Sequence, residues 1–184
     1  MAIPQPTVKP TLTRSEFEVF VRLPENEEKN WEFIDGEAVE KMPSNPYSSW
    51  IAAQIIHALI QHLREHQQIA YVTGESAGYY VGEEVLAPDV AYTTDPLVDE
   101  GFQPNPPKLA VEVVSPTDKS ADIRRKLVKY MDAGVTVWVI YPREKIVDVW
   151  SPNGLPQTKG IDDVLTAPDL LAGFSISVRE ILGA

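Results

Sequence analysis

Glu112 is the residue whose position most demands a chemical explanation. It stands in Leu109-Ala110-Val111-Glu112-Val113-Val114, an apolar run with one carboxylate inside it. Read as a strand, the run puts Leu109, Val111 and Val113 on one face and Ala110, Glu112 and Val114 on the other. A buried charge without a partner costs several kcal/mol, so Glu112 calls for a lysine or a metal ion. Asp89 is the natural companion. It follows Pro88 at the head of a second strand candidate, Val90–Thr94, and the loop 95–107 leaves room for the two strands to lie side by side. Two carboxylates at close range repel each other. A divalent cation such as Mg²⁺ or Mn²⁺ removes the repulsion, because carboxylate oxygens are its usual protein ligands. A metal at Asp89 and Glu112 could polarise a phosphate and lower the pKa of a bound water.

A lysine completes the set. The helix expected after Glu112 has Ile123, Leu127, Tyr130 and Met131 on its apolar face. At about 100° per residue, Lys126 falls roughly 60–80° from the centre of that face. Its stem can lie on the core while its ammonium reaches the sheet. Each residue also has a plainer reading. Glu112 and Lys126 could form a buried ion pair, Asp89 could be a turn residue after proline, and Lys126 could belong to the solvated run Arg124-Arg125-Lys126. His62 and His66 are spaced as helical metal ligands can be, but no third ligand accompanies them.

The elements that must position these residues are legible from pattern. Thr13 with Glu16 predicts a capping box for a helix to about Arg22. Trp31–Ile34 and Glu37–Val39 predict a hairpin across Asp35-Gly36, which supplies the positive φ angles of a tight turn. A helix is expected from Ser48 or Ser49 to about His66, with Ala52, Ile55, Ile56, Leu59 and Leu63 on one face. Short strands are expected at Ile69–Thr73, Ala77–Val81 and Val90–Thr94, and a central strand at Lys108–Val114. A helix from about Asp118 to Ala133 should end at Gly134. Val135–Tyr141 and Ile146–Trp150 form a second hairpin, whose edges could pair across a dimer interface. The tail from Ile161 reads as one weak helix and a terminal one near Val178–Leu182. Together these predict an α/β (α+β) fold, a mixed sheet core flanked by helices. Residues 1–12 read as a flexible arm and 13–184 as a single domain.

Composition narrows the function classes. The chain has 184 residues, no cysteine, and a net charge of −11. That excludes disulfides and thiolate metal sites. No apolar run approaches a membrane span and no signal peptide is evident, so a cytoplasmic protein is expected. The acidity matters, because nucleic-acid affinity rests on cations facing phosphates. Any such binding must come from a local patch, a bound metal or a groove built by two copies.

The ordered pieces Glu32-x-Ile34-Asp35-Gly36-Glu37, Pro88-Asp89, Val111-Glu112-Val113-Val114-Ser115-Pro116, Lys126-x-x-x-Tyr130-x-x-x-Gly134-Val135 and the Trp138 strand ending at Pro142 resemble the Uma-two family of restriction endonucleases. That family belongs to the PD-(D/E)XK nuclease superfamily. The resemblance covers about residues 13–182. It implies a restriction-endonuclease-like core and Mg²⁺-dependent hydrolysis of DNA, with a homodimer as the expected assembly. It implies Asp89 and Glu112 as the acidic positions and metal ligands, and a further acid at Glu37 or, less directly, Glu32. The superfamily's lysine belongs two residues after Glu112, where this chain has Val114. Some branches move it to the following helix, which makes Lys126 the substitute. A histidine frequent near the start of the helix at residue 48 is replaced here by Tyr47-Ser48-Ser49. The alternative is a catalytically inactive module that keeps the nuclease fold and binds without cutting.

Overall fold

The computed structural model describes residues 11–116 and 118–183. Most of the expected arm, residues 1–10, lies outside them. The chain opens with helix α1 (Arg14–Phe20), on which Thr13 and Glu16 form the expected capping box. Strands β1 (Trp31–Ile34) and β2 (Glu37–Glu40) follow as a hairpin. Asp35 and Gly36 take φ angles of 51° and 80° at its turn, the left-handed pair that this tight connection requires.

Helix α2 (Pro46–Glu65) begins earlier than its apolar pattern alone suggests. Asn45 Oδ1 accepts the amides of Tyr47 and Ser48, both at 3.0 Å. Pro46 fits the first turn because its missing N–H would have had no helical partner. The prolines around residue 45 therefore start the helix as well as break the chain.

A sheet of six strands forms the centre, ordered β10-β9-β8-β7-β6-β3. Its members are β3 (Tyr71–Gly74), β6 (Val90–Thr93), β7 (Leu109–Val113), β8 (Thr136–Tyr141), β9 (Ile146–Trp150) and β10 (Gln157–Lys159). Only β7 and β8 run parallel, joined through helix α3 (Ser120–Asp132). That helix stops where Gly134 adopts a φ of 74°, as expected for a residue just past a helix end. A second sheet, β2-β1-β5-β4, adds β4 (Tyr79–Val81) and β5 (Glu84–Leu86).

Strand β7 is covered on both sides, which explains its near-continuous apolar sequence. Leu109, Val111 and Val113 pack into a core with α2 and the C-terminal elements. Ala110 packs into a second core that contains Tyr130 of α3 and Ile34, Tyr79 and Leu86 of the smaller sheet. Phe17 of α1 stacks on Phe33 in a third, on the outer face of that sheet.

Two expectations are corrected. The segment after Ile161 is not a weak helix but an antiparallel pair, β11 (Val164–Ala167) and β12 (Leu171–Ser177), leading into α4 (Val178–Leu182). Leu165, Ala167, Leu171, Phe174 and Ile176 are its buried side chains, and their alternation serves a sheet. The second hairpin does form, but it offers no open edge: β10 pairs with β9 and β7 with β8. The free edges of the large sheet are β3 and β10.

Candidate active site

The register of β6 on β7 sets Val90 opposite Val111 and Ala91 opposite Ala110. Asp89 therefore arrives at the same end of the sheet as Glu112. Its Oδ2 accepts the amide of Val113 at 2.8 Å, which locks the carboxylate to the neighbouring strand. Both acids are buried, at 8% and 4% exposure.

Helix α3 brings Lys126 over this point. Its Nζ lies 3.3 Å from Glu112 Oε2 and 2.8 Å from Glu32 Oε1. Tyr130, one turn later on the same face, donates its hydroxyl to Glu112 Oε1 at 3.0 Å. Glu32 also accepts the backbone amide of Ala87 at 2.9 Å, so it ties β1 to the chain just ahead of Asp89. Strands β1 and β7, the segment before β6, and helix α3 thus converge on one buried cluster.

A second lysine is present. Lys41 donates to Asp89 Oδ1 at 2.9 Å and to the carbonyl of Ala87 at 2.6 Å. The balance of charge follows: Lys41 faces Asp89, Lys126 faces Glu32, and Glu112 is the surplus carboxylate. Burial, then the charges of Asp89 and Glu32, push the Glu112 carboxyl up to about 7 despite the opposing pull of Lys126. Burial works against the Lys126 ammonium, but Glu112 and Glu32 outweigh it and hold its pKa above the ordinary lysine range.

Next to the cluster, Asp35 at the first hairpin turn takes Lys129 at 2.6 Å and Arg125 at 3.0 Å. Lys129 also pairs with Glu84 of β5 at 2.7 Å. These contacts fasten α3 to the smaller sheet beside the site. They hold the Asp35 carboxyl below its ordinary value, Lys129 first and Arg125 second.

The cluster forms the floor of a cavity of about 410 Å³, lined by Glu32, Lys41, Asp89, Glu112, Lys119 and Lys126 among others. A larger cleft of about 510 Å³ lies by Trp31, Tyr80 and Phe102. Its acids, Glu27 and Glu100, are exposed, and Glu18 is engaged by the Tyr80 hydroxyl at 2.6 Å, so it has no comparable cluster.

Asp89, Glu112 and Lys126 are therefore brought together. Glu37 is not in their cluster. It opposes Ile34 in the hairpin and shares the face of Glu32, but it sits at the turn end, where its charge acts on Arg125. Glu32 is the hairpin acid that reaches the lysine. Lys41 and the hydroxyl of Tyr130 were not foreseen as site groups. The amide of Lys41 bonds the carbonyl of Asn30 at 2.8 Å and extends the hairpin ladder past Glu40. Counting by twos from Glu37 through Val39 reaches Lys41 on the same face. That signal was available in the sequence. Of the histidine pair, His62 is buried against Phe174, and its ring centroid lies 4.1 Å from that of His66. Among the described residues, no three His, Cys, Asp or Glu side chains are gathered into a ready metal-binding group.

Comparison with known proteins bears on the family and the fold. The model of a family named Uma2, described as "Putative restriction endonuclease", matches residues 17–179. A crystal structure from Anabaena variabilis ATCC 29413, described as a "putative nuclease belonging to DUF820", has a TM-score of 0.79 to this chain at 20% identity. The match covers 94% of this chain and 98% of that one, and it establishes a shared fold. No curated protein matches the chain.

Proposed function

This chain belongs to the Uma2 family, and on that premise we propose that it is a Mg²⁺- or Mn²⁺-dependent endonuclease hydrolysing DNA phosphodiester bonds. The observation that carries this reading is the cluster itself. Buried carboxylates from separate strands meet a helix-borne lysine at the floor of an open cavity.

The donor set suits the ion. Asp89 and Glu112 are hard oxygen ligands, and Mg²⁺ is commonly held by one or two carboxylates with waters and substrate phosphate completing its shell. A pair of carboxylates is therefore a donor set compatible with Mg²⁺. A bound ion would supply polarisation of the phosphate and a more acidic water. The protein's own groups do the rest. The Val113 amide orients Asp89. Glu32 and Tyr130 fix the positions of Lys126 and Glu112. Lys126, held as an ammonium, faces the cavity floor, where it can neutralise charge that develops on a phosphoryl oxygen.

The test is cleavage of supercoiled and single-stranded DNA with Mg²⁺ or Mn²⁺. Cleavage is expected to stop on chelation and in an Asp89→Ala, Glu112→Ala double variant. Activity unchanged in that variant would overturn the reading. Val114 and the charge of −11 support the second reading, a module that binds without cutting. A site that never takes up Mg²⁺ or Mn²⁺ in calorimetry, even with DNA present, would favour it. We extend the proposal to a homodimer acting in the cytoplasm, since two copies would set one site against each strand of a duplex. Sedimentation showing only monomer at high concentration would remove the dimer.

A further inference from the structure

Asp89 has both oxygens engaged, and by donors of different kinds. Oδ2 takes the backbone amide of Val113 at 2.8 Å. Oδ1 takes the side-chain ammonium of Lys41 at 2.9 Å, which also bonds the Ala87 carbonyl. The amide belongs to a strand and cannot leave without dismantling the sheet. Lys41 lies just beyond β2 on a flexible four-carbon stem, and it lines the open cavity. Lys126 differs: it is held between two carboxylates. Of the cations at the floor, Lys41 is the one that can move aside.

We propose that Lys41 is the resident counter-ion of Asp89, standing at the oxygen that a divalent cation takes and exchanging with it on uptake. The inference rests on the reading of Asp89 as a metal ligand. Its physical basis is the balance of charge. Asp89 and Glu112 meet at one end of adjacent strands, where two carboxylates repel each other. In the metal-free protein the Lys41 ammonium offsets that repulsion. A doubly charged ion offers more to the same pair than one ammonium, and Lys41, once released, remains at the cavity wall.

The experiment is Mn²⁺ titration of the full chain by calorimetry, with free Mn²⁺ followed by electron paramagnetic resonance. Lys41→Met should bind Mn²⁺ more tightly by about tenfold or more, since it removes a competitor in direct contact with the ligand. Lys41→Gln, which can still bond the Ala87 carbonyl, should do the same and serves if the first variant folds poorly. Lys41→Arg restores the charge and should return the affinity to that of the wild type. Lys159→Met, on β10, makes the same change in net charge away from the site and should alter little. Binding by Lys41→Met where the wild type shows none also supports the exchange. If wild type binds, Asp89→Asn does not, and Lys41→Met is unchanged or weaker, the exchange is overturned while the metal site stands. A gain matched by Lys159→Met overturns it as well. Failure of both wild type and Lys41→Met to bind Mn²⁺ overturns the exchange and the metal reading together.

Discussion

Lys126 illustrates how one side chain can hold a site together. It is 8% exposed and lies between Glu32 and Glu112. Such a pair adds little to stability when intact, because desolvation offsets the attraction. Breaking it is another matter. Lys126→Met should cost about 3–5 kcal/mol in urea unfolding, since it strands buried carboxylates. Adding Glu112→Gln and Glu32→Gln to that variant should recover much of the loss, because amides need no counter-ion. A cost below about 1 kcal/mol for the single change would mean that the carboxylates already hold protons or water in its place.

At the scale of elements, α2 and the C-terminal hairpin meet through His62. Its ring packs edge-on to Phe174 of β12, with centroids 5.4 Å apart. Burial, and then the neighbouring charge of His66, hold its pKa below the ordinary 6.5, against the pull of Glu65 and the Ala172 backbone. The folded state thus favours the neutral ring. The stability tied to it is present above 6.5 and is lost as pH falls, because the unfolded chain takes up the proton first. His62 should therefore contribute a drop in the thermal midpoint between about pH 7.5 and about pH 5.5, opposed by Glu112, which the folded state protonates over the same range, and His62→Phe should remove that contribution. An equal drop in the variant would assign it to other groups. The same hairpin is the element hardest to read from sequence. Its strands are short and its apolar residues fit either period, so only their burial against α2 and Trp138 decides between helix and sheet.

At the scale of the molecule, the net charge of −11 limits how DNA could be held. Two of the cavity's cations, Lys41 and Lys126, are committed to carboxylates, which leaves few to face phosphates. DNA affinity measured by anisotropy across a salt series should therefore fall gently, with a log–log slope of about −2 to −4. A slope steeper than about −6 would require more phosphate contacts than the cavity's uncommitted cations supply, or a groove assembled from two copies. Among the described residues, no helix is long and apolar enough to cross a membrane.

The sequence by itself determined the strand at Leu109–Val113, the faces of its side chains and the need for a partner at Glu112. Alternation and the cost of buried charge are local facts. It also determined the two hairpins and the helix that carries Lys126, because turn residues and helical period act over a few positions. The identity of the partners was decided only by tertiary structure. Glu32 rather than Glu37 meets the lysine, and Lys41 rather than a bare strand end meets Asp89. Both choices depend on how the smaller sheet docks against β7 and α3. That docking is set by side chains far apart in sequence, Ile34, Tyr79, Leu86, Ala110 and Tyr130, packing into one core. No spacing within the first hairpin says which of its two ends meets the carboxylates. The packing does, and it delivers the open end to the carboxylates.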